Sequence, residues 1–340
     1  MSESPYRERL LSREMTRLGL LYVRRYGLRR SAAKLAEKLK ILLGLSGRDF
    51  RFNYHDYQRW IALNEPNQAR LDQQKRLAAA LPRQPLISLA VPLWQTKREF
   101  LIEMIDSVRR QTYGNWELCL AAAAVDELRD VLERYVRLDK RIKTRYLPKN
   151  EGIAQNSNAA LALATGEYIG LLDHDDTLSP DALFEVAKKL NEADYDVLYS
   201  DEDKLDEAGK IRIHPHFKPD WNPDLLRAFN YVSHFLVIKR QLINKIGLFR
   251  SGFEGSQDHD LVLRATEATR RIAHISKVLY HWRTHANSTA FDAGSKLGAQ
   301  TATVKAVQEH LGRIGRGGVV TPGPFSGSVR VQYHLEDNPL

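Results

Sequence analysis

The 340-residue chain has a single cysteine, Cys119, which excludes an intrachain disulfide. Cys119 lies in an apolar run, where a buried structural thiol is expected rather than a nucleophile. Long hydrophobic runs are also missing: the longest, residues 86–94 (LISLAVPLW), falls far short of the roughly 20 residues of a membrane-spanning helix. Near the N-terminus Arg and Lys interrupt every apolar stretch, so no signal-peptide core is visible. There is no internal repeat and no low-complexity tract. These absences lead to the expectation of a cytoplasmic globular protein, and a composition with 27% charged and 43% hydrophobic residues agrees with it.

What is present is distributed unevenly. Residues 1–60 hold 14 Lys/Arg against 6 Asp/Glu, a net of +8, whereas the other 280 residues are nearly balanced at +1. In this arm Leu11, Met15, Leu18 and Tyr22 recur at helical spacing, and Leu28, Ala32, Leu35, Leu39 and Leu42 do so after Gly27. That pattern predicts two amphipathic helices with basic outer faces. Such helices either pack on the main domain or lie on an anionic membrane surface, and residues 1–45 are the candidate for membrane contact, peripheral on the inner face of the cytoplasmic membrane. No recognised nucleic-acid module accompanies the charge, so nucleic acid is not an expected partner.

Past Pro82 and Pro85 the pattern changes to alternating strands and helices. Strands are expected at 86–93, 116–122, 142–147, 168–172 and 197–199, with helices at 99–110, 128–136, 153–164 and 180–190. This alternation predicts an α/β fold, a mostly parallel Rossmann-like sheet with helices on both faces. Three regions are expected: a basic helical region at 1–80, an α/β domain at 81–295, and a C-terminal helix and strand extension at 296–340. In such sheets ligands bind beyond the carboxyl ends of the strands, so acidic residues just after a strand are the first candidates for chemistry.

Four clusters meet that description. Asp173-His174-Asp175-Asp176 follows the apolar strand Tyr168–Leu172. Three carboxylates packed together call for a cation, and their oxygens suit Mg²⁺ or Mn²⁺, which in turn hold a diphosphate. The bland alternative is a solvated turn capping the next helix. A second cluster, Asp201-Glu202-Asp203-Lys204, reads as a substrate-facing edge or a charged loop. Asp258, in Gly255-Ser-Gln-Asp258-His-Asp260, opens a helix and is either a cap or a general base. In Tyr280-His281-Trp282-Arg283-Thr-His285, Arg283 has the geometry for phosphate, and His281 and His285 are candidates for a third metal ligand or phosphate donor. His214-Pro-His216 resembles a metal pair but lacks a third partner. Asp173-His-Asp175-Asp-Thr177 also fits a phosphoaspartyl phosphatase pattern, although Asp176 stands where that pattern places Gly and three strands precede it.

Taken together, PLISLAVPLW, LPKNEGIAQNSNAALALATGEYIGLLDHDDTLSPDAL, YSDEDK, HPHFKPDWNPDLL, GSQDHDLVLR and VLYHWRTHANSTA resemble glycosyltransferase family 2, of GT-A fold, in its polysaccharide and O-antigen branch, often rhamnosyltransferase-like. The resemblance runs from about Tyr54 onward. It implies an inverting, metal-dependent transfer of a sugar from a nucleotide-diphosphate donor, UDP- or dTDP-linked, to a growing cell-surface glycan, with a lipid-linked acceptor. By the same resemblance Asp173 and Asp175 would bind Mn²⁺ or Mg²⁺, and Asp258 would be the catalytic base. Pro92, Gly152, Asn158, Asp173 and Arg283 would contact the donor, and Asp201, Asp203, Trp221 and Asp260 would face the acceptor. Where the family usually carries an Asp pair after the second strand, this chain has Ala122 and Ala123, so recognition of the donor base is expected to be weak. That loss keeps open a second reading, a catalytically weak scaffold in a glycan-assembly complex.

Overall fold

The computed structural model describes residues 54–284 and 293–334. The arm helices expected before residue 45, and His285, lie outside the described residues. The chain divides into two compact units after Asn53, and the described residues all belong to the second. The expected boundary at 80/81 therefore falls inside a compact unit. Helices α1 (Tyr54–Asn64) and α2 (Gln68–Ala79) belong with the sheet, and the Tyr57 hydroxyl of α1 donates to Asp203 at 2.6 Å.

Strand β1 (Ile87–Leu93) is buried along its whole length, as a strand covered by helices on both faces must be. Helix α3 (Arg98–Arg109) follows, then β2 (Trp116–Ala123), α4 (Arg129–Leu138), β3 (Ile142–Leu147), α5 (Ile153–Leu161) and β4 (Tyr168–Leu171). After the short strand β5 (Thr177–Leu178) come α6 (Ala182–Glu192), β6 (Val197–Leu205), β7 (Arg212–His216) and α7 (Pro223–Ala228). Then follow β8 (Leu236–Lys239), α8 (Arg240–Ile246), α9 (Gln257–Ala268), β9 (Ile272–Arg283) and α10 (Ala293–Arg313), and finally the hairpin β10 (Gly318–Pro322) and β11 (Val329–Tyr333).

The main sheet has the order β3-β2-β1-β4-β8-β6-β9-β5, with β7 on β6. β1 to β4, β6 and β9 run one way, and β5, β7 and β8 run against them. The chain builds outward through β2 and β3, then returns to place β4 on the other side of β1. This reversal opens a crevice at the carboxyl ends of β1 and β4. Pro92 sits at that end. Leu172 donates to the Ala90 carbonyl, so the position two residues on faces the same side, where pairing with β4 has stopped. The missing N–H of Pro92 therefore leaves no ladder bond unmade.

One buried ionic network ties the opposite end of the sheet together. Glu117 on β2 accepts from the Ser88 hydroxyl (2.6 Å), the Thr165 amide (2.6 Å) and Lys143 Nζ (2.5 Å). Burial pushes its pKa up, but these donors outweigh burial and hold the carboxyl down at about 2, below its ordinary 4.5. A depressed acid contributes stability that is present above the unfolded value and is lost as pH falls toward the folded one. Glu117→Gln should therefore cost about 1–3 kcal/mol at pH 7. The gap to wild type should close between pH 4.5 and 2. Urea midpoints across that range test it, and a gap independent of pH would remove the ionic contribution.

Candidate active site

At the carboxyl edge the apolar strand β4 ends and Asp173, Asp175 and Asp176 follow within one turn. Asp176 points inward and is fully buried. It accepts from the Tyr280 hydroxyl (2.6 Å) and the Arg283 amide (2.7 Å), both on β9. The same Tyr280 hydroxyl accepts the Asp173 amide at 3.2 Å, so one phenol fixes the turn from two directions. The Asp173 carboxylate opens on the crevice, with its Oδ2 3.7 Å from His234 Nε2. Asp173, Asp176 and His234 bring their ligand atoms within 4.8 Å of one another. Burial raises both carboxyl groups above the ordinary range; the Asp175 charge adds to both, and His234 opposes it at Asp173. Asp175 is thus close to the cluster without being one of its three members.

These donors fit a divalent cation. Crowded carboxylates gain from a positive charge among them, and the His234 Nε2 lone pair can join Asp173 in holding it. Two oxygens and an imidazole suit Mn²⁺ better than Mg²⁺, which prefers oxygen alone.

The His234 ring stacks on Tyr280 at 4.4 Å with an 11° angle between planes. Its backbone is clamped from beneath. The fully buried Lys218 ammonium donates to the carbonyls of Val232 (2.7 Å) and His234 and pairs with Glu202 at 3.2 Å. Glu202 in turn accepts the His234 amide at 3.1 Å. Burial pushes the Glu202 carboxyl up, but Lys218 outweighs it and keeps the group below the ordinary range. Asn230, earlier in the same segment, donates to Asp258 Oδ2 at 3.0 Å. Asp258 occupies the first turn of α9, lines a cavity of about 190 Å³, and lies near enough that its charge helps raise Asp173.

Several expected site residues are placed elsewhere. Asp203 is fully buried on the other side of the sheet, accepting from Tyr57, Arg212 (2.6 Å) and His281 Nδ1 (2.8 Å). Both Asp203 and His281 are therefore consumed in a structural hub rather than turned toward acceptor, metal or phosphate. Asp201 is held between the Lys218 amide and His274, each at 2.8 Å. Asp260 is fully buried; burial pushes its carboxyl up, but Arg250 and Arg264 outweigh it and hold it below the ordinary range, which makes it a poor base. The Asn158 amide is used up on the Phe249 backbone, donating at 2.9 Å and accepting at 3.0 Å. Arg283 lies under the site: Nε donates to the Asp175 carbonyl at 2.7 Å, Nη1 to the Glu207 carbonyl at 3.1 Å, and Nη2 pairs with Glu103. It shapes the acidic turn instead of reaching a diphosphate. Trp221 is partly buried against the apolar cluster beneath α7.

Gly152, by contrast, takes φ +91°, a conformation that needs glycine, and caps α5 after β3. Ala122 and Ala123 are buried at the end of β2 and present no polar atom. Sequence reasoning missed His234, Lys218 and Asn230, and gave no role of their own to Glu202 and Tyr280 within the clusters it named. The only available signal was that Lys218 and Glu202 are opposite charges in runs already singled out.

A sheet with this switch point, an acid–acid–imidazole edge, and a further carboxylate on a helix N-terminus defines an α/β domain of GT-A architecture. Residues 88–247 match the model of glycosyl transferase family 2, so the chain carries a domain of that family. It is similar to an uncharacterised protein of Sinorhizobium fredii, 42% identical over 92% of this chain and 34% of the relative. It is also similar to an O-antigen biosynthesis protein of Myxococcus xanthus, 40% identical over 84% of this chain and 22% of the relative. The chain thus spans about a third or less of the length of these two curated relatives. Among solved structures it resembles in fold a mannosyltransferase from Pyrobaculum calidifontis in complex with GDP-Man and Mn²⁺. The TM-score is 0.50 at 16% identity, covering 75% of this chain and 73% of that one. Among the described residues no helix is long and apolar enough to cross a membrane.

Proposed function

We propose that the chain is an inverting, metal-dependent glycosyltransferase that moves a sugar from a nucleotide-diphosphate donor to a growing cell-surface glycan. The observations that support this are the Asp173–Asp176–His234 cluster at the carboxyl edge and Asp258 in a cavity wall, held by Asn230 of the segment that carries His234. Asp173, Asp176 and His234 would hold Mn²⁺ or Mg²⁺, with Asp175 beside them. The cation, when bound, supplies charge to the leaving diphosphate. Pro92 and Gly152 border the donor. Asp258 removes the proton from the attacking acceptor hydroxyl, and the Asn230 amide holds it in the orientation to do so. Single displacement then inverts the anomeric carbon. Acting at the inner face of the membrane on a lipid-linked acceptor accords with the basic arm. The O-antigen relative and the GDP-Man and Mn²⁺ complex of the structural neighbour support the reading.

The test is release of nucleoside diphosphate from a panel of nucleotide sugars, with and without Mn²⁺. Release that depends on metal supports transfer; inert protein across the panel favours the scaffold. Preference for phosphomonoesters would return the phosphatase reading.

One property of the donor site follows from Ala122 and Ala123. A carboxylate accepting from a base N–H is worth about 1.5–3 kcal/mol, and neither alanine offers one. UDP, dTDP and GDP should bind with affinities within about tenfold of one another, since a tenfold ratio is only 1.4 kcal/mol. Calorimetry with each diphosphate and Mn²⁺ measures this; a hundredfold preference for one base would place a base-reading residue elsewhere.

A further inference from the structure

The cavity beside Asp258 has one wall built by the C-terminal hairpin. Phe325, Ser326 and Gly327, from the turn of the β10–β11 hairpin, line it together with Phe229, Asn230 and Asp258. This hairpin lies beyond residues 88–247 that match the family model. Phe325 is 57% exposed, yet its backbone is held rigidly. Its amide donates to Ser328 Oγ (3.2 Å), and its carbonyl accepts from that hydroxyl (2.6 Å) and from the Ser328 amide (3.0 Å). Gln300 of α10 ties the turn down, donating to the Ser328 carbonyl (2.8 Å) and accepting the Gly327 amide (2.9 Å). A bridge between Phe229 and Ser328 joins the turn to the segment that leads to Asn230 and His234. The Phe325 and Phe229 rings meet at 5.9 Å and 71°, forming a corner.

Resting on the transferase reading, we propose that Phe325 is the platform on which a sugar ring of the acceptor stacks while one of its hydroxyls meets Asp258. A pyranose has an apolar C–H face and a rim of hydroxyls. The C–H face suits the electron-rich face of an aromatic ring, and the rim suits Asn230, Ser233 and Ser326 around the same cavity. The volume of about 190 Å³ is below the roughly 300–1,000 Å³ of sites that enclose a drug-sized ligand, which fits one sugar unit. The hairpin thus makes acceptor choice a property of the C-terminal segment, separate from the donor side.

The experiment compares wild type, Phe325→Ala and Phe325→Trp by saturation-transfer NMR. The probes are methyl glycosides of glucose, galactose, mannose, rhamnose and N-acetylglucosamine. Wild type should bind at least one of them, Phe325→Ala should weaken that binding tenfold or more, and Phe325→Trp should retain it. Because the ring is exposed, thermal unfolding of Phe325→Ala should match wild type, which excludes misfolding as the cause. Binding by Phe325→Ala within twofold of wild type, or no glycoside bound by wild type, overturns the proposal. Nucleoside diphosphate release from the donor panel is read separately. Its absence from wild type would sink the transferase reading, while the glycoside arm still reports on the platform.

Discussion

Asp258→Asn is expected to lower turnover by about 10²–10⁴, the worth of a positioned general base, while donor affinity stays close to wild type. The substitution keeps size and still allows a hydrogen bond with Asn230, but it removes the carboxylate proposed to take the acceptor proton. Thermal stability should change little, since Asp258 carries no ion pair and one hydrogen bond among the described residues. Steady-state release of nucleoside diphosphate, with Mn²⁺ and donor binding by calorimetry, separates the two quantities. Full turnover by the variant would displace the base from this position. Asp260 could not then take its place, because two guanidinium groups hold it as a structural anion.

Lys218→Met should act in the opposite way, through the fold before the chemistry. It strands the buried Glu202 carboxylate, which keeps only the His234 amide and a more distant His216. Breaking a buried pair from one side costs about 3–5 kcal/mol. The same ammonium holds the carbonyls of Val232 and His234, so the segment carrying His234 and Asn230 should loosen and Mn²⁺-dependent release should fall with stability. Removing both charges in Lys218→Met/Glu202→Gln should restore much of the stability, because no unpaired ion remains. Urea denaturation of the three proteins decides the matter. Equal midpoints for Lys218→Met and wild type would show that the pair does not clamp the segment.

The contrast between these two variants reflects how the site is built. In the proposed mechanism Asp258 acts on a hydroxyl at the cavity wall, whereas Lys218 holds the peptide backbone that aims an imidazole. Both lie in conspicuous sequence runs, yet only the fold separates chemistry from support.

Much of the architecture was legible locally. Ile142–Leu147 forms the strand expected of it, and β1, β2, α3 and β4 fall within a residue or two of their expected limits. Buried strands and amphipathic helices advertise themselves by hydrophobic period, which depends on near neighbours alone. The acidic turn after β4 was legible for the same reason: an apolar strand must end somewhere, and charged residues mark the end.

Strand β6 shows where that reasoning stops. Its charged half reads as a substrate-facing edge or a charged loop after a strand at 197–199, but it continues as strand to Leu205. The extension exists because distant segments neutralise it: Tyr57 lies 146 residues from Asp203, and His281 lies 78 away. Once those residues are in a strand, alternate side chains face opposite sides. Asp203 is turned to the hub, and Glu202 to Lys218 and the His234 segment. The sequence by itself determined that acids gather at a carboxyl edge, since hydrophobic periodicity and chain order set where strands end. Which of those acids meets a metal, a base's substrate or only another side chain was decided by tertiary structure, because a buried charge takes its role from partners that folding alone brings within hydrogen-bonding distance.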